Sequence, residues 1–154
     1  MSGHCPECGA EWRAGETCEA DFHQLLGWES EYPGLGVVHH LTVLVFYLQH
    51  PSRYSPEGLA GARAELAGFV ERGETPHEWR QRNRSKLNSS NRAWKITARP
   101  GAVGGYGREM PWRLRTPDVA AGGPEHYIEN VREWARQAQA VLAAAPGGSE
   151  NHRD

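Results

Sequence analysis

The chain has 154 residues, 17 Lys or Arg against 19 Asp or Glu, and only 38% hydrophobic residues, with many glycines and prolines. That suits one domain with a modest core, expected over residues 1–145, with 146–154 as a disordered tail. The longest apolar run, Leu41 to Leu48, is too short to span a bilayer. The start, Met1-Ser2-Gly3-His4-Cys5, shows no basic stretch before an apolar one, so no secretory signal is expected. An odd number of cysteines then argues for reduced thiols in the cytoplasm rather than a disulfide framework.

In chain order, Cys5-Pro6-Glu7-Cys8 comes first. Two cysteines two residues apart on a tight turn place both thiolates on one side, where they can share a metal ion. Gly9 permits the sharp bend that such a knuckle needs. Cys18 supplies a third thiolate, and three thiolates within eighteen residues point to zinc. Thr17 is a helix cap for a segment from Cys18 to about Glu31, with Cys18, Phe22, Leu25, Leu26 and Glu29 on one stripe. Tyr32 to Gly36 reads as a turn. Val37 to His50 is apolar almost all round and stops at Pro51, which fits a buried helix; its β-branched content leaves a strand open.

Ser55-Pro56-Glu57 opens a further helix whose face is Leu59, Ala62, Leu66, Phe69 and Val70, with Gly73 as its stop. Thr75-Pro76 opens a short basic helix that fades near Asn88–Asn91. Trp112–Arg115 alternates and can pair with Trp94–Thr97. Gly101–Gly107 reads as a mobile glycine loop without the strand–loop–helix setting of a phosphate cradle. A last helix spans about Pro124 to Ala145, with Tyr127, Val131, Trp134, Ala138, Val141 and Leu142 inward. The expected fold is mainly α, a small helical bundle with an N-terminal zinc knuckle and room for one short β-hairpin.

Charge is uneven. Between Trp79 and Arg115 there are ten Lys or Arg and one acid, leaving seven basic and eighteen acidic residues elsewhere. Such a segment suits a nucleic acid, an anionic ligand, or the acidic part of the same chain. Trp79, Trp94, Tyr106 and Trp112 lie within it; aromatic rings beside arginines can stack bases, but they also serve as ordinary core residues.

If the first two helices form an antiparallel pair about Pro33-Gly34, residues equidistant from position 34 lie level. Cys18 then meets His50, and Glu29 meets His39, at two polar sites about 16 Å apart. Cys5, Cys8, Cys18 and His50 would close a Cys₃His tetrahedron, the arrangement of structural zinc. His39, His23, His4 or a water molecule are the other candidates for the fourth position. Glu29 and His39 either fix register through a mutual hydrogen bond or form a general acid–base pair, with Tyr47, Gln49, His40 or His126 available to complete it. No Ser or Cys sits in a nucleophile elbow.

The pattern Cys5-Pro6-x-Cys8-Gly9, Cys18, His39-x-Leu41-Thr42-Val43 and Gln49-His50-Pro51 resembles a bacterial Cys/His family of unknown function. The C-terminal part is similar too, at Trp112-x-Leu114-x-Thr116-x-Asp118-Val119 and Val131–Ala135. The resemblance implies that Cys5, Cys8, Cys18, His39 and His50 are the family's Cys/His positions and that Glu29 matches an acidic one. Members of that family often carry a longer segment between the second and third cysteines, with a histidine in it; residues 9–17 here have none. The resemblance implies metal binding but no reaction. Three functional classes follow: a zinc-stabilised domain, a metal-dependent or acid–base enzyme acting on a small molecule through Glu29 and His39, and a binding module that uses residues 79–115 on nucleic acid or an acidic partner. No membrane partner is expected.

Overall fold

The computed structural model describes residues 3–12, 17–84 and 104–145. Among them are six helices: α1 (Cys18–Glu31), α2 (His39–Gln49), α3 (Pro56–Glu71), α4 (Pro76–Arg82), α5 (Thr116–Ala121) and α6 (Tyr127–Ala144). Two short strands, β1 (Gly3–His4) and β2 (Glu11–Trp12), pair antiparallel around the Cys5–Cys8 turn. No helix among the described residues is long and apolar enough to cross a membrane.

Local sequence accounts for the helix starts. The Thr17 hydroxyl accepts from the Ala20 amide at 3.1 Å, and the Ser55 hydroxyl accepts from Gly58 at 3.0 Å. Thr75 and Glu78 form a reciprocal capping box at the start of α4. Between α1 and α2, Pro33–Val38 form a tight 3₁₀ turn. The two helices run back along each other, with Phe22 and Phe46 stacked at 4.0 Å between ring centres. Residues 22 and 46 are equidistant from position 34, so this stack has the register the turn predicts. Val37–His50 is thus helical over most of its length rather than extended.

Helix α6 is the central strut. It packs on α2 and α3, while α5 covers α1. Tyr127, Val131, Trp134, Ala138, Val141 and Leu142 are all buried. Full burial of the aliphatic Val131, Val141 and Leu142 side chains is worth about 1.5–3 kcal/mol each. The helix begins at Tyr127 rather than Pro124, because Pro124–His126 form a 3₁₀ turn after Gly123, whose φ of +76° suits only glycine.

Some expectations need correction. Trp112–Arg115 is not a strand; Trp112 is buried and the Leu114 carbonyl accepts from the Gln49 side chain at 2.8 Å. Its expected partner, Trp94–Thr97, lies outside the described residues. The hairpin lies instead at the N-terminus. From Gly104 onward the glycine segment is docked, not loose. The Gly104 amide donates to the Tyr54 carbonyl at 2.6 Å, and Tyr106 donates to the Leu48 carbonyl at 2.5 Å. A Cβ at Gly104 would lie 3.1 Å from two carbonyl oxygens, which explains the glycine. Helix α4 ends at Arg82, and residues 85–103 and 146–154 are outside the described set.

Gln49 shows how the C-terminal half is fastened to α2. It is fully buried, donates to the Leu114 carbonyl, and accepts from Trp134 Nε1 at 3.3 Å. Gln49→Leu keeps the volume but strands the indole N–H and the carbonyl. It should cost about 1–3 kcal/mol in urea unfolding; an unchanged midpoint would mean that this bridge contributes nothing.

Candidate metal centre

The Cys5–Cys8 turn is built for sulfur. The Cys8 amide points at Cys5 Sγ at 3.4 Å, the Cys5 amide bonds the Ala10 carbonyl at 2.8 Å, and Gly9 takes φ +83°. Cys18, the first residue of α1, brings its Sγ to 3.6 Å from that of Cys8. This is far from a disulfide bond. It is close to the roughly 3.8 Å that two thiolates keep when each lies 2.3 Å from one tetrahedral ion. Trp12 Nε1 donates to Cys18 Sγ at 3.4 Å.

His50 completes the group. Its Nδ1 donates to the Phe46 carbonyl at 2.6 Å, one turn back on α2. Its ring lies 4.3 Å from that of Phe46. Its Nε2 is buried and has no hydrogen-bond partner. A histidine whose second nitrogen is anchored on a backbone carbonyl has the tautomer and orientation of a metal ligand. One ligand atom from each of Cys5, Cys8, Cys18 and His50 lies within 4.8 Å of the others, and all four residues are buried. The group can hold a metal ion.

The electrostatics fit that use. Three sulfurs this close cannot all ionise on protons alone. Hydrogen bonds from Cys18 and Cys8 hold Cys5 far below the ordinary thiol range, while contacts with Cys18 and Cys5 push Cys8 far above it. Burial opposes charge on His50, yet the Cys18 and Cys5 sulfurs and the Phe46 carbonyl outweigh it and push the imidazole up to about 10. A divalent cation would replace these shared protons and ionise coordinating thiols outright.

Three contacts outside the four residues hold the knuckle down. The Glu7 carboxylate accepts from the Ser52 amide at 3.0 Å and from its hydroxyl at 2.9 Å. Arg115 Nε donates to the Cys8 carbonyl at 2.7 Å. The third is the Trp12 bond to Cys18. Ser52 and Arg115 do not stand out in the sequence, because each joins segments whose proximity only the fold creates.

The structure also gathers the second pair. Glu29 is buried, with Oε1 at 2.6 Å from His39 Nδ1. Tyr127 donates to Glu29 Oε2 at 2.5 Å, and the Thr42 hydroxyl lies 3.1 Å from the Tyr127 oxygen. Burial, reinforced by the bond to Glu29, pushes the Tyr127 phenol above its ordinary range, so it stays a proton donor. Tyr127 and Thr42 complete this cluster, not Tyr47, Gln49, His40 or His126. Gln49 is committed to Leu114 and Trp134, His40 packs edge-on against Phe69, and His126 lies beside Glu129. Tyr127 was recognisable as an inward residue of α6; nothing local marked its hydroxyl as the partner of Glu29.

Among the other histidines, His39 stands with Glu29, His4 lies exposed beside Glu11, and His23 is exposed on α1. None joins the three cysteines. A cleft of about 420 Å³ opens beside the centre, with Cys5, Cys18 and His50 in its wall and Trp12, Phe22 and Tyr47 among its lining. Glu29 and His39 do not line it.

Fold and site together define a small helical domain with a buried Cys₃His cluster at its N-terminus. The chain belongs to the family of unknown function DUF5946, whose sequence profile matches residues 3–143. No curated protein and no solved structure matches it.

Removing the imidazole in His39→Ala leaves Glu29 with Tyr127 alone. The variant should lose about 1–3 kcal/mol of stability in chemical denaturation and keep its metal content. Loss of metal in this variant would contradict the separation of the two clusters.

Proposed function

We propose that this is a zinc-stabilised cytoplasmic domain in which a structural zinc on Cys5, Cys8, Cys18 and His50 fastens the N-terminal knuckle to α1 and α2. The observation that carries the reading is the buried His50 Nε2. It lacks a hydrogen-bond partner, its ring is oriented through Nδ1, and His50 offers one ligand atom within 4.8 Å of three buried sulfurs. A fourth protein ligand makes the tetrahedron closed, which favours a structural over a catalytic ion. Reduced thiols gathered in this way suit a reducing compartment. Here the side chains position the ion and each other, and the metal would supply the crosslink that a small core needs.

Purified protein should contain about one zinc per chain. Cys→Ser at 5, 8 or 18, or His50→Ala, should lower metal content, and a chelator should lower the thermal midpoint. Metal-free native protein, or a triple Cys→Ser variant with undiminished zinc, would defeat the proposal. Zinc kept in His50→Ala but lost in His39→Ala would reassign the fourth ligand.

Two other readings draw less support. An enzyme using Glu29 and His39 as acid and base would gain from the exposed imidazole bonded to a buried carboxylate. The same bonds are equally those of a clasp that neutralises a buried charge. A nucleic-acid role for residues 79–115 loses part of its cationic surface to internal contacts: Arg82 forms two bonds with Glu74, and Arg115 holds the knuckle. Binding to RNA or DNA should accordingly be weak and vanish at physiological salt. Filter-binding across a salt series checks this, and tight, salt-resistant binding would promote the regulatory reading.

A further inference from the structure

We propose that the cleft beside the metal centre binds a small zwitterion carrying an aromatic group, a free aromatic α-amino acid being its simplest form. The volume of about 420 Å³ is in the range of small-molecule sites. Its apolar lining is aromatic. Phe22 is stacked on Phe46 and so is fixed, and Trp12 is held by its bond to Cys18 Sγ. Tyr47 packs edge-on against both phenylalanines at 6.0 and 5.4 Å. A flat apolar body entering the cleft would meet surfaces that need no rearrangement.

Besides His23, one guanidinium and two carboxylates line the cleft, and these decide the polar part of the ligand. Arg53 has its guanidinium 5.8 Å from the centre of the Tyr47 ring and no carboxylate partner among the described residues. Glu19 lines the same cleft, in the first turn of α1, and it too has no cationic partner among them. The two do not bridge each other, so they stand more than an ion-pair distance apart. Glu7, the other carboxylate here, has both oxygens bonded to Ser52. A lone anion would satisfy Arg53 but face two carboxylates. A lone cation would satisfy Glu19 and leave Arg53 beside it. A molecule with both charges matches both groups, its carboxylate on the forked guanidinium donors and its ammonium on Glu19. The proposal rests on the zinc reading only for the back wall, where Cys5, Cys18 and His50 must be held in place.

The test uses zinc-loaded full-length protein and three fluorinated probes followed by ¹⁹F NMR: 4-fluorophenylalanine, 4-fluorophenethylamine and 3-(4-fluorophenyl)propionate. They share a ring and differ in charge. The amino acid should bind best. Arg53→Ala should weaken it about tenfold and shift preference toward the amine; Glu19→Gln should do the same and shift preference toward the acid. Arg136→Ala, a surface change on α6, should leave binding as it is. Equal binding of all three probes, preference for either single-charge probe in the wild type, or no binding by protein of full zinc content would overturn the proposal. Zinc content is measured on each sample, so protein that never takes up zinc defeats the structural-zinc reading, whereas zinc-replete protein that ignores the probes defeats the cleft alone.

Discussion

A carboxylate taken out of water must find partners, and Glu29 finds them on two other helices. His39 lies at the start of α2 and Tyr127 at the start of α6, so one side chain of α1 ties together the beginnings of both. Removing a single partner from such a cluster leaves a buried charge poorly satisfied, which is costly. The three helices are therefore restricted in rotation as well as in spacing. Rotation of α1 by one residue would carry both Glu29 and Cys18 off the faces they share with α2.

The same register brings together the other end of the pair. With α1 and α2 in register, Cys18 and His50 come together although they lie 32 positions apart in the chain, and the knuckle closes over them. The closing contacts come from both sides of the molecule. Ser52 follows α2 directly, and Arg115 precedes α5, which itself lies against α1. The Cys/His cluster is thus embedded in the packing of the helices, with four buried residues, rather than hung from a loose arm.

The parts of this arrangement that were legible in the sequence are those governed by short-range rules. A tight turn at Pro33 and a 3.6-residue period were enough to place Cys18 opposite His50 and Glu29 opposite His39. The capping residues Thr17, Ser55 and Thr75 marked three helix starts for the same reason. Helix α5 is hard to read although Thr116-Pro117-Asp118 is a helix-start signal, because Trp112–Arg115 just before it alternates as a strand would. Tyr127, Ser52 and Arg115 could not be paired with Glu29, Glu7 and Cys8 in advance. Their contacts span 45 to 107 positions, and no local period encodes such a distance. The cleft belongs to the same category, since its lining comes from the knuckle, α1 and α2 together.

The two ends of the α1–α2 pair also differ in when their parts leave the ribosome. Every member of the Cys/His cluster has been synthesised once His50 has emerged, whereas Glu29, with His39 already made, waits for its second partner Tyr127 much later in the chain. Domains fold as their segments become available. A growing chain could therefore join Cys18 to His50 early and leave the carboxylate, paired with His39 alone, uncovered until α6 arrives. The order of synthesis would set which end closes first.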